Sequence, residues 1–218
     1  MSIYRTDVLN AFLNGWKFQL NGGNHSMFRI TPGFLWKIAQ HYLHERSLLN
    51  SQQHNVSALV PSLNQWLPFY KIDSELRLAH FLAQSCVETA NFSSLTERAR
   101  NGGKEYEYNT AVGRALGNKY PGDGPKYIGR GMLHLTGREN YDQYGRILHE
   151  DLVNHPGLVS SNPDVAVRTA CEFWHKRHVN IPADRDDFKA VTYAVYGGYN
   201  GLVERKRALD RIKNEMGI

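Results

Sequence analysis

Two carboxylates, Glu88 and Glu97, are the residues whose type and spacing are best suited to chemistry in this chain. Glu88 lies late in the run HFLAQSCVET, among small and apolar side chains. Burial there disfavours the charged form, so its pKa is expected to rise, and a carboxyl that keeps its proton near neutrality can give it to a leaving group. Glu97 follows nine residues later, after Asn91-Phe92-Ser93-Ser94, a segment that should end or bend a helix. On a straight helix that spacing separates the two Cα atoms by roughly 13–14 Å. A bend lets the carboxylates face one another at the roughly 6.5–9.5 Å that an inverting glycosidase needs for an intervening water. Spacing alone does not select this reading, because most Glu residues are solvated helix surface.

Other residue groupings lead elsewhere or nowhere. Thr136-x-x-Glu139 reads as a capping box at the start of a helix, and its hydroxyl can donate once and accept twice, which leaves room for a second role. Gly129-Arg130-Gly131 lacks the following Gly-Lys-Ser/Thr of a phosphate loop. The pairs His41-x-x-His44 and His175-x-x-His178 have no Cys or carboxylate to complete a metal site, so no metal and no cofactor is expected.

The elements that must position these residues read as helices. Thr31-Pro32 is an N-cap with proline in the first turn, followed by Phe34, Leu35, Ile38, Ala39, Tyr42 and Leu43 at core spacing. Asp73 or Ser74 caps the helix that carries Glu88, with Leu76, Ala79, Leu82, Ala83 and Cys86 as its buried stripe. Asn162-Pro163-Asp164 opens another, with Val165, Ala166, Thr169, Ala170, Phe173 and Trp174 on one face. A fourth runs from Asp187 to Val195 and stops at Gly197-Gly198. A last, basic helix follows Gly201 and turns Leu202, Leu209, Ile212 and Met216 inward. Between Glu97 and Lys126 glycine and proline turns replace periodicity, and a loop of that length in a compact domain is usually functional. The polar stretch Ser51–Ser57 reads as a break between an N-terminal helical extension, residues 1–56, packed on the main body, and a domain over residues 57–218.

The 218 residues are 41% hydrophobic and 22% charged, an ordinary globular composition with enough chain for a core. The net charge of +5 suits a polyanion, either nucleic acid or an acidic cell-wall polymer. No apolar run reaches the length of a membrane span, and no secretory signal is visible, so the chain is expected to be made in the cytoplasm. Cys86 and Cys171 read as reduced and buried, with a disulfide left open.

A longer pattern adds to these readings. Tyr127-Ile128-Gly129-Arg130-Gly131-Met132-Leu133-His134-Leu135-Thr136, continuing to Asn140-Tyr141, resembles the central motif of glycoside hydrolase family 19, the chitinases and related phage endolysins. HFLAQSCVETANFSSLTE, NHPGLVSSNPDVAVRTACEFW and VTYAVYGGYNGLVERKRAL resemble three more of its segments, in order, across roughly residues 60–213. The resemblance implies a mainly α, lysozyme-like, two-lobed domain with a central cleft and little or no sheet. It places Glu88 as general acid, Glu97 as general base and Thr136 at the attacking water. It makes Tyr127, His134, Asn140, Tyr196, Asn200 and Arg205 substrate-binding candidates. Val87, His134 and Tyr196 depart from the His, Gln and Asn usual at those positions, which bears on substrate preference. The activity implied is inverting hydrolysis of β-1,4 bonds between N-acetylated amino sugars, on peptidoglycan for preference and on chitin as the alternative. A third reading keeps the fold without turnover, as a glycan- or nucleic-acid-binding protein. Glycan strands are the expected partners rather than nucleic acid. Action at a bacterial wall requires release or injection by a phage or secretion system, with an immunity protein as a further candidate partner.

Overall fold

The computed structural model describes residues 28–218; the remainder of the expected N-terminal extension, residues 1–27, lies outside the described residues. The described chain is helical, with only two isolated antiparallel bridges, Thr96 to Arg130 and Arg130 to Leu135. The helices are α1 (Pro32–Ile38), α2 (Arg46–Phe69), α3 (Glu75–Glu88), α4 (Ala111–Ala115), α5 (Asp123–Lys126), α6 (Arg138–Leu148), α7 (Leu158–Ser161), α8 (Pro163–Lys176), α9 (Asn180–Asp184), α10 (Phe188–Tyr196) and α11 (Leu202–Met216). This is the mainly α fold that the sequence implied.

Local chemistry explains where several helices begin. The side chains of Thr31, Ser74, Asn162 and Asp187 accept hydrogen bonds from the first-turn amides of α1, α3, α8 and α10. Gly197 ends α10 in the left-handed conformation (φ 78°).

α3 runs through the middle of the molecule. Every residue from Leu78 to Cys86 is buried, so it has no solvent face in that stretch rather than the single stripe expected, and Leu76 is only half-buried. α11 lies along it, α9 and α10 pack nearby, and α2 packs on α8. Together with α1 they close the larger hydrophobic cluster, which includes Phe34, Leu59, Phe81, Leu82, Trp174, Leu209 and Ile212. A smaller cluster of Tyr127, Leu135, Tyr141, Tyr144, Leu152, Val159 and Val165 supports the other side of the molecule.

Two expectations are corrected. α1 stops at Ile38, so its apolar periodicity does not continue: Leu43 is 70% exposed. Ser51–Ser57 is no break in structure, because α2 passes through it without interruption. Ser51, Gln53, His54 and Ser57 face solvent while Gln52 and Val56 face inward, so the stretch is the polar face of an amphipathic helix.

Candidate active site

Glu88 is the last residue of α3, and its side chain is 13% exposed. Arg205, from the first turns of α11 and itself buried, donates through Nη2 to Glu88 Oε1 at 2.5 Å. Its other nitrogens bind Gln84 Oε1, one turn before Glu88, and the carbonyl of Asn200 at 3.3 Å. Gln84 in turn donates to Thr192 Oγ1 on α10 at 3.2 Å. On the second carboxylate oxygen, His134 Nδ1 sits 3.3 Å from Glu88 Oε2. Burial pushes the Glu88 pKa up, as expected, but the His134 contact and the Arg205 charge outweigh it and hold the carboxyl below its ordinary value. The residues next to Glu88 in the sequence show only its apolar helix; Arg205 and His134 are pointed to by the family resemblance alone.

Glu97 is mounted differently. Its amide donates to the carbonyl of Gly129 at 2.9 Å, and its Oε1 accepts from the amide of the same glycine at 2.5 Å. Its Oε2 accepts from the Tyr106 hydroxyl at 3.2 Å. Tyr106 is half-buried; burial and the neighbouring Glu97 charge push its pKa up to about 12, so it stays a donor. Gly129 also lies against His134, the residue that contacts Glu88. A Cβ there would lie 3.0 Å from both Glu97 Cδ and His134 Cβ, so a larger residue would push one of these two side chains aside.

Between the carboxylates the chain does turn, and by an unusual route. Ala90, Asn91 and Phe92 are all left-handed, with φ of 46°, 57° and 65°. A non-glycine residue in that region costs roughly 1–2 kcal/mol, so three in succession must be held by their surroundings.

The other candidates divide. Thr136 donates to the His134 carbonyl at 2.8 Å, which leaves its acceptor side open, and Asn140 donates to the Thr136 carbonyl at 2.7 Å. Thr136 is not the helix cap: Gly137 holds that position, and no side chain caps α6. Tyr196 is 46% exposed, takes a hydrogen bond from Asn200 Nδ2 at 3.2 Å, and lies under the Arg205 guanidinium at 5.1 Å. Tyr196 and Asn200 thus reach Glu88 through Arg205, while Thr136 and Asn140 bond the backbone that follows His134. Tyr127 does not line an open cleft: it is fully buried, packs on Tyr141 and donates to the Val153 carbonyl at 2.9 Å. Sequence reasoning missed Tyr106, Gln84 and the Gly129 amide. The i, i+4 relation of Gln84 to Glu88 could have revealed that one; Tyr106 lies in an aperiodic loop and gave no signal. Among the described residues no group of three His, Cys, Asp or Glu side chains is placed to hold a metal ion.

Comparison with known proteins agrees with this architecture. Residues 72–191 match the glycoside hydrolase family 19 model, described as chitinase class I. An endochitinase of Pisum sativum is 44% identical over 63 residues, covering 29% of this chain and 20% of that protein. A glycosyl hydrolase family 19 domain-containing protein of Haemophilus influenzae is 36% identical over 89 residues, 41% of this chain and 42% of its own length. The matched stretches thus span well under half of these relatives. Chitinase C from Streptomyces griseus shares the fold, with a TM-score of 0.60 at 18% identity over 89% of this chain and 96% of that one. The class IV chitinase of Zea mays does so with a TM-score of 0.57 at 19% identity, over 86% and 91%. With more than half of its length matched by the family model, the chain belongs to glycoside hydrolase family 19.

Proposed function

We propose that the protein hydrolyses β-1,4 bonds next to N-acetylated amino sugars by a single displacement, with Glu88 as acid and Glu97 as base. The carrying observation is the chain of contacts that links two differently held carboxylates: Gly129 donates its amide to Glu97 and lies against His134, whose ring contacts Glu88. Glu97, bound by one backbone amide and one phenol, keeps lone pairs for a water, and the open acceptor of Thr136 steadies that water. His134 and Arg205 favour the ionised form of Glu88, so it takes up a proton before it acts. A glycan in the cleft strips water from it and strengthens the burial effect that favours the protonated form.

Bacterial peptidoglycan is the proposed substrate. The +5 charge suits an acidic wall, and the spacing of Glu97 from Glu88 resembles the endolysin branch of the family. A second reading, chitin, is favoured by the relatives, which include an endochitinase. Digestion of purified peptidoglycan and of chitin oligosaccharides, read by mass spectrometry and by NMR of the first anomer released, tests both. Expected are new reducing ends in the α configuration, from peptidoglycan in preference to chitin. Absence of new ends from either polymer would overturn the proposal, and β-anomer first would replace the single displacement with a retaining route.

A further inference from the structure

The left-handed turn between the two carboxylates is not held by its own residues alone. Internally, the Asn91 amide bonds the Cys86 carbonyl at 2.6 Å, the Phe92 amide bonds Thr89 Oγ1 at 2.9 Å, and the Ser94 amide bonds the Thr89 carbonyl at 3.1 Å. These bonds do not use the carbonyls of Asn91 and Phe92, and side chains of α2 take both. Gln52 Nε2 donates to the Asn91 carbonyl at 2.7 Å and to the Gln40 carbonyl at 2.8 Å. Asn55 Nδ2 donates to the Phe92 carbonyl at 2.8 Å. Gln52 is fully buried, and residues three apart share a helix face, so the two amides act side by side. Asn91 Oδ1 closes the arrangement from the other side by accepting from the Gln40 amide at 3.1 Å. α2 precedes residues 72–191, the part of the chain that matches the family model.

We infer that Gln52 and Asn55 form a clamp that fixes the separation and mutual orientation of Glu88 and Glu97, which makes α2 a positioning element of the active site. The inference rests on the reading of those carboxylates as acid and base. Without the two donors, two part-buried carbonyls lose their partners, and the three left-handed residues keep only the turn's internal bonds and those that Asn91 Oδ1 accepts from the Gln40 amide and from Arg211 Nη2 at 3.4 Å. The turn then relaxes and carries Glu97 with it. A misplacement of about 1 Å at reacting groups can cost on the order of 100-fold in rate.

The test replaces both donors by apolar side chains of similar size, Gln52→Leu with Asn55→Leu, in the full chain. Circular dichroism and thermal melting check folding. On chitin oligosaccharides and on solubilised peptidoglycan, kcat should fall at least tenfold while KM stays within twofold, because the sugar-facing side chains are untouched. Amide hydrogen exchange should rise at least tenfold over residues 89–97 while α11 keeps its protection. A folded variant with wild-type kcat, or one that changes KM alone, overturns the clamp. If the double variant does not fold, Gln52→Met alone is read the same way, with about threefold expected in kcat. Should the wild type hydrolyse neither polymer, the acid/base reading falls on its own. Exchange over residues 89–97 then decides the clamp: lost protection supports it and unchanged protection overturns it.

Discussion

The two carboxylates stand on different kinds of ground. Glu88 ends a helix buried on all sides within the larger hydrophobic cluster, and its partners come from α11 and the turn before Thr136. Glu97 belongs to a region with little apolar packing of its own, whose shape is set by polar bonds. There Asp123 accepts from the amides of Lys119 at 2.8 Å and Tyr120 at 3.0 Å, and from Arg138 at 2.7 and 2.9 Å. The Arg138 guanidinium lies 4.9 Å from the ring centres of both Tyr120 and Tyr127. The contrast teaches a division of labour. The acid needs a low-dielectric surround in which a few charges tune its proton affinity, and a packed core supplies it. The base of the proposed reaction needs access to water, and Glu97 is held by two hydrogen bonds rather than by apolar packing.

The largest expected effect breaks the acid side. Glu88→Gln should keep the fold, with a lower melting temperature because buried Arg205 loses its counter-charge, and should lower hydrolysis by roughly 10²–10⁴-fold, since an amide cannot protonate the leaving oxygen. More than a tenth of wild-type activity, measured on either polymer, would remove Glu88 from that role.

Next comes the scaffold of the base. Asp123→Asn leaves Arg138 and two amides facing a weaker acceptor, and should cost roughly 2–3 kcal/mol in chemical denaturation. The loss should appear first in hydrogen exchange over residues 97–126, with α3 unaffected. Burial raises the Asp123 pKa, but Arg138 and the two amides outweigh that and hold it below the usual value. Its contribution to stability is therefore present above the ordinary aspartate pKa of about 3.9 and is lost as pH falls through the lower folded value. In the Asp123→Asn variant that acid-side loss should be absent.

A smaller effect separates the two carboxylates directly. Tyr106→Phe removes the hydroxyl from Glu97 alone, and kcat should drop by about two- to tenfold, the worth of one hydrogen bond of roughly 0.5–1.5 kcal/mol. The smallest change expected is a shift rather than a loss. His134→Gln takes a pKa-lowering contact from Glu88, so the pH at which activity falls on the alkaline side should move upward. Superimposable pH–rate profiles would mean that His134 does not tune the acid.

The contrast also explains what the sequence made legible. Helix starts at Thr31, Ser74, Asn162 and Asp187 depend on a cap and the turn that follows, all within four residues, and each is readable from the chain. The carboxylate pair, with Arg205, His134 and Thr136 nearby, was legible through the motif pattern. The depressed pKa of Glu88 was not, because it depends on Arg205, 117 positions away. The continuity of α2 was hidden for the opposite reason: its polar face spells a loop-like string, and burial of Gln52 depends on carbonyls as far as 39 positions away. Tyr127 looked like a sugar contact because an aromatic within a motif does not reveal which way it points.

Cys86 lies two residues from the acid and Cys171 in α8, and the structure leaves both as free, fully buried thiols. Burial pushes the Cys86 thiol up to about 12 and raises that of Cys171 further, so neither supplies the thiolate that oxidants and disulfides attack. No disulfide therefore links the two cysteines of the described fold. The same packed core should serve in a reducing compartment and in an oxidising one, without a covalent step between them.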